Sequence, residues 1–376
     1  MTGLAARICW GLVTGLVLLS ANPAGAEVRV GAICCLSGAL STYGVSGAQG
    51  ARLALDEINR QGKIPGGPLV LIVEDNASKQ GDSATIARKL ISSDHVVAIL
   101  GALTSSETLE AAPIAQASQI PLLTPTATNL AVTQVGDFIF RSCFTDPFIG
   151  LLMSKFATEH LHAKTAVILV DVKQDYSIGV ADGIEQTFTQ SGGKILERIS
   201  FSSGDLDFRA QLTTARARHP DVLFLPAYYT EAGLILRQAR QLGIQAPFLG
   251  ADGWDSPVLL QMAGTAANGC YYANHFSADD PNPAVQEFVK KYKAAYGATP
   301  DALAALWYDG MRLLADAIVR AGSTEPAQLR SAMASTTGFD GITGKISLDP
   351  QRNASKPGVI IAIENQQLKV AERVSP

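Results

Sequence analysis

From residue 28 onward, short continuous apolar runs alternate with stretches whose apolar positions recur every three or four residues. Val28–Cys35 is rich in β-branched residues and predicts a strand, and Gly47–Arg60 carries Ala48, Ala51, Leu55 and Ile58 as a helical stripe. Leu69–Val73, Val96–Leu100 and Ile120–Leu123 predict further strands, separated by helices over Ser83–Ile91 and Ser106–Ala117. Strands that are apolar throughout, rather than alternating, belong in a parallel sheet covered on both faces. After Asp137–Phe140 the pattern restarts. Helices are expected over Pro147–His160, Gly179–Ser191, Phe208–Arg218 and Glu231–Leu242. Between them lie strands at Thr165–Val170, Lys194–Phe201, Val222–Leu225 and Phe248–Leu249. Two units of similar size imply two lobes, because open twisted sheets seldom exceed ~10 strands. The C-terminal part adds a helix at Pro283–Tyr296 and another that starts at Thr299-Pro300-Asp301 and runs to about Arg320. A hairpin of Val359–Ile363 and Leu368–Arg373 around Asn365-Gln366-Gln367 ends the chain.

The first 26 residues depart from this pattern. Arg7 is the only charge before Glu27, Ile8–Ser20 is apolar, and Ala24-Gly25-Ala26 offers small residues for a signal peptidase. The apolar run is shorter than the ~20 residues a spanning helix needs, so a cleaved secretory signal and a periplasmic destination are expected. The whole chain has 30 basic and 34 acidic residues, a net charge of −4, and loses only Arg7 with the signal. No basic field exists to hold nucleic acid. Cys34, Cys35, Cys143 and Cys270 are too few for a disulfide framework and lack metal-ligand spacing.

Phosphate-binding, dinucleotide-binding and nucleophile-elbow motifs are absent. His160 and His162 lie two apart, which does not place them on one helix face. Polar clusters instead gather at strand ends, where open α/β sheets bind ligands. Gly101–Ser106 and Thr124–Asn129 are two of them. Ser105 and the free amides of the helix it opens suit a carboxylate, and suit an ordinary helix cap equally well. Tyr43 in the loop Ser37–Gly44, Asp175-Tyr176, Ala227-Tyr228-Tyr229 and Gly250–Trp254 add aromatic rings and one acid. An aromatic-lined cleft with a carboxylate suits a ligand with an apolar body and a cationic end.

Ser37-Gly38 with Tyr43-Gly44, Ala51–Asn59, Gly101–Ser106, Ile120-Pro121 with Thr124–Asn129, Tyr228 with Glu231, Arg237-Gln238-Ala239 and Phe248–Pro257 together resemble the periplasmic Leu/Ile/Val-binding protein family. The resemblance implies an α/β fold of two Rossmann-like lobes with parallel sheets joined by a three-segment hinge. It places residues 27–143 and 275–349 in the first lobe and 144–274 and 350–376 in the second. By position, Ser105 and Thr128 would bind a ligand α-carboxylate, with backbone help from Leu103 and Thr126. Asp252 would pair with the α-ammonium. Tyr176 and Tyr228 match second-lobe tyrosines, Tyr43 and Phe276 match aromatic positions near the ligand side chain, and Trp254 adds to that wall. Two departures stand out. Thr104 replaces a disulfide cysteine of the family, and Asp252 stands where the type member has a glutamate, one methylene longer.

The resemblance implies a monomeric receptor of an ABC importer that closes on a branched-chain or other aliphatic amino acid and docks on an inner-membrane permease. It implies no catalytic residue, cofactor or metal. The same fold also serves amide, urea and aromatic-acid receptors or sensors. From other classes, a secreted α/β hydrolase using Asp252 and Tyr176, and a structural envelope protein, are the rivals.

Overall fold

The computed structural model describes residues 27–375; the expected signal peptide lies outside them. The first sheet contains β1 (Val28–Cys34), β2 (Leu69–Asp75), β3 (Ala98–Leu100), β4 (Leu122–Thr124) and β5 (Ile139–Arg141), in the order β2-β1-β3-β4-β5. Every pairing in it is parallel, with Val28 opposite Leu69 and Val30 opposite Ala98. The crossovers run through α1 (Ser41–Gln61), α2 (Asp82–Ser92), α3 (Ser105–Ala117) and the short α4 (Ala131–Gln134).

The second sheet has β6 (Thr165–Asp171), β7 (Lys194–Phe201), β8 (Val222–Phe224), β9 (Phe248–Gly250) and β10 (Cys270–Asn274). Their helices are α5 (Asp146–Lys155), α6 (Asp175–Gln190), α7 (Arg209–Ala217), α8 (Tyr229–Gln241) and α9 (Pro257–Ala263). After β10 the chain returns to the first sheet through α10 (Pro283–Tyr296), α11 (Ala302–Ala321) and α12 (Pro326–Ala334). A small antiparallel sheet follows, of β11 (Phe339–Gly341), β12 (Gly344–Leu348) and β13 (Ala354–Ser355). The chain then crosses again, through Lys356-Pro357, into β14 (Gly358–Glu364) and β15 (Gln367–Val374). These two strands extend the second sheet as an antiparallel edge, in the order β15-β14-β10-β9-β8-β6-β7. Three crossings therefore join the sheets, after β5, β10 and β13. The fold is the expected two-lobed α/β arrangement.

Several local expectations are corrected. α1 begins at Ser41, not Gly47, so Tyr43 sits in its first turn rather than in a loop. The helix expected over Pro147–His160 is α-helical only to Lys155 and finishes as one wider turn, Phe156–His160. α11 is capped by Asp301, whose carboxylate accepts the Ala304 N–H at 2.9 Å, so Thr299 and Pro300 precede the helix. The C-terminal hairpin turns on two residues, Asn365 and Gln366, both left-handed with φ of 51° and 58°. That is the turn geometry whose twist matches the strands. α9, β10, α12 and the small sheet had no counterpart in the sequence reading.

The four cysteines among the described residues are free and buried. Burial pushes the thiols up, Cys143 to about 12, so they are packed as small apolar groups.

Candidate functional site

The carboxyl ends of both sheets point into one cleft. β3 leads into α3, whose cap is Thr104: its hydroxyl accepts the Glu107 N–H, and the Glu107 carboxylate accepts the Thr104 N–H at 3.1 Å. This capping box satisfies the Glu107 amide but leaves the N–H groups of Ser105 and Ser106 without a protein acceptor among the described residues. The Ser105 hydroxyl accepts from the Asn129 N–H at 3.2 Å, and the Thr126 hydroxyl donates to the Leu103 carbonyl at 2.6 Å. These bonds lock the loops after β3 and β4 to each other. What they leave free is the start of α3, with its unpaired donors and partial positive charge.

The second lobe supplies an acceptor. Asp252 opens a single 3-10 turn, Asp252–Trp254, after β9. Its carboxylate accepts from the Tyr176 hydroxyl at 2.9 Å, and its other oxygen lies 3.1 Å from His275 Nε2. His275 ends the second crossing's approach and stacks on Phe144, of the first crossing, at 3.5 Å between ring centroids. Burial depresses His275 to about 4, so the ring is neutral near pH 7 and donates Nε2–H. Burial also raises Tyr43, Tyr176 and Tyr228, which keeps their hydroxyls protonated. The Asp252 carboxylate is thus oriented by neutral donors, and no lysine or arginine lines the cavity. Its charge has no fixed counter-ion.

Tyr43, Leu103, Ser105, Thr126, Tyr176, Tyr228 and Asp252, all named from the sequence, line this cavity. Tyr176 and Tyr228 stack nearly parallel, 4.9 Å apart, as one wall. Three named residues lie elsewhere. Thr128 is fully buried: its carbonyl accepts the Asp146 N–H at 3.0 Å, and its hydroxyl has no hydrogen-bond partner among the described residues. Trp254, two residues beyond Asp252 on the same turn, points the other way; its Nε1–H donates to the Leu225 carbonyl at 3.0 Å and its ring covers Gly250. Phe276 packs edge-on against Phe288 and faces a neighbouring cavity. The sequence reading missed His275, Gly253 and the apolar trio Ala302, Leu303 and Leu306 at the start of α11.

The cleft is closed. The Tyr43 hydroxyl of α1 donates to the Gly253 carbonyl, and the Tyr229 hydroxyl donates to Ala39 O at 2.8 Å. Ser106 Oγ donates to Asp175 Oδ2 at 2.8 Å, and Asn129 Nδ2 to Asp175 O at 2.7 Å. The cavity holds about 30 Å³, room for roughly two waters at ~10–15 Å³ each and less than an amino acid needs, so the lobes stand closer here than they can over a bound ligand. A solute reaches Asp252 only when the lobes part. No cluster of three or more histidine, cysteine, aspartate or glutamate side chains suited to a metal occurs among the described residues.

Residues 27–366 match the family model described as periplasmic binding protein. A Leu/Ile/Val-binding protein homolog of Brucella melitensis is 30% identical over 354 residues, covering 93% of this chain and 94% of the relative. A leucine-binding protein from Thermotoga maritima superposes with a TM-score of 0.89 at 36% identity, over 93% of this chain and 99% of its own. The branched-chain amino acid transporter substrate-binding protein of Streptococcus pneumoniae, solved with isoleucine, gives 0.87 at 33% identity, over 93% and 100%. With its two crossing-linked lobes and a cleft between their strand ends, this chain belongs to the periplasmic binding protein family.

Proposed function

We propose that the protein is the periplasmic receptor of an ABC importer, that it captures an aliphatic α-amino acid by lobe closure, and that it returns this ligand unchanged to an inner-membrane permease. The observation that carries the reading is the placement of Asp252, oriented by Tyr176 and His275, in the same closed cavity as the unpaired start of α3. An α-ammonium meets the carboxylate and an α-carboxylate meets Ser105 and the helix amides. Leu103, Leu303 and Leu306 receive an aliphatic side chain. The amino-acid-binding relatives support the same class. An aromatic acid without an ammonium would leave Asp252 buried against it without a counter-charge, which disfavours that alternative.

The proposed lobes are residues 27–143 with 275–349, and 144–274 with the C-terminal segment. Because β13 pairs with β12, the third boundary is better placed at Lys356-Pro357. The reading assigns Thr128, Trp254 and Phe276 to support of the cleft rather than to ligand contact. Mass spectrometry of the small molecules released on denaturing the purified protein tests the function. A branched-chain or other aliphatic amino acid is expected. An aromatic acid, an amide, or a chemically converted product would overturn the proposal.

A further inference from the structure

A second cavity, of about 680 Å³, opens on the flank of the two lobes. One wall is the outer side of α1 and the segment before α11; the other is α9 with the faces of β10 and β14. It is separate from the cleft. The bond from the Tyr43 hydroxyl to the Gly253 carbonyl, and the bond from the Ala302 N–H to Asp255 Oδ2 at 2.7 Å, form the partition.

The chemistry of this cavity is one-sided. Asp255, Asp279 and Asp301 line it, and no lysine, arginine or histidine does. Asp301 uses Oδ1 for both its hydrogen bonds, from Ser46 Oγ and the Ala304 N–H. Asp301 is only half-buried, and neither of these bonds uses its Oδ2, so that oxygen can still accept from a ligand. Asp255 stands beside it, held by Tyr272 and the Ala302 amide. Burial pushes both carboxyls up, reinforced at Asp301 by the charge of Asp255 and at Asp255 by the charge of Asp252, in a pocket that offers no cation. Tyr272, Tyr292 and Phe276 supply ring faces and edges, and Val45 and Leu260 supply apolar surface.

We propose that this flank cavity is a second ligand site, distinct from the amino-acid cleft, for an organic ammonium ion with an apolar or aromatic body. The ammonium sits between Asp301 and Asp255, and the body lies against the rings. The proposal does not rest on which solute the main cleft binds.

Titration calorimetry of the whole protein with phenethylammonium chloride, and with 2-phenylethanol as its uncharged counterpart, tests the site. The ammonium should bind saturably at one site in the wild type and equally well in Asp252→Ala. Asp301→Asn, which keeps a side-chain oxygen to cap α11, should weaken it by about tenfold or more. Val45→Trp should do the same by filling the mouth from a residue that is 42% exposed, so its folding is not at issue. The alcohol should show no saturable binding. The proposal is overturned if the ammonium fails to saturate, if the alcohol binds equally, or if binding is lost in Asp252→Ala and kept in Asp301→Asn and Val45→Trp.

Discussion

At the scale of single residues, the proposed function rests most heavily on Asp252. Its partners are a tyrosine hydroxyl and a neutral imidazole, so its charge is available to an incoming cation. Asp252→Ala should weaken amino-acid binding by roughly a hundredfold or more, the ~3 kcal/mol expected when a desolvated ammonium loses its counter-charge. Asp252→Asn, which keeps the shape without the charge, should fall between; equilibrium dialysis with a radiolabelled amino acid reads both. His275 gives a pH signature. Its folded pKa, about 4, lies below the ~6.5 of the unfolded chain. Between those values the unfolded state holds a proton that the folded state does not, so stability is complete above pH 6.5 and declines as the pH falls toward 4. His275→Gln removes that titration, and its urea midpoint should drop less than that of the wild type between pH 6.5 and 4. Tyr43, Ser105, Tyr176, Tyr228 and Asp252 were legible because each follows a strand end. His275 was hidden because β10, an aromatic-rich run of five residues, was not recognised as a strand. Trp254 was misplaced for a different reason: sequence shows that it is near Asp252, not that one turn of 3-10 helix sends the two to opposite sides.

At the scale of elements, strand and helix alternation was readable because buried parallel strands are uninterrupted apolar runs. The start of α1 was not, since Gly44, like Gly47 and Gly50 further along, is a poor helix former. The packing explains them. They recur every three residues along one face, against the Cys35 carbonyl, the Trp307 ring and the Ala304 carbonyl. A Cβ at Gly50 would overlap the backbone of α11, which cannot give way as a side-chain tip does. Gly50→Ala should therefore cost about 1–3 kcal/mol despite the better helix propensity of alanine. Chemical denaturation would show this as a lower midpoint with an unchanged slope. The glycine stripe, a local weakness by propensity, is a close-approach surface in three dimensions. β11–β13 stayed invisible because strands of two to five residues carry too little periodicity to be told from turns.

At the scale of the whole molecule, the restart of the pattern after residue 137 announced two lobes, and the expected signal peptide suited a receptor. The closed state was beyond sequence. It is set by long-range bonds such as Tyr229 to Ala39 and Ser106 to Asp175, between residues with no local pattern in common. Closure also gives the ligand chemistry its force: with about 30 Å³ enclosed, water is nearly excluded and a charge left unpaired there is costly. Binding energy shared between the lobes then shifts the population toward the closed form. The most direct test of this account is titration calorimetry with L-leucine and two truncated analogues, 4-methylpentanoate, which lacks the ammonium, and isopentylamine, which lacks the carboxylate. The account predicts saturable one-to-one binding of leucine and a loss of about a hundredfold or more for each analogue, because both charged ends are held. Binding of 4-methylpentanoate as tight as that of leucine would contradict it.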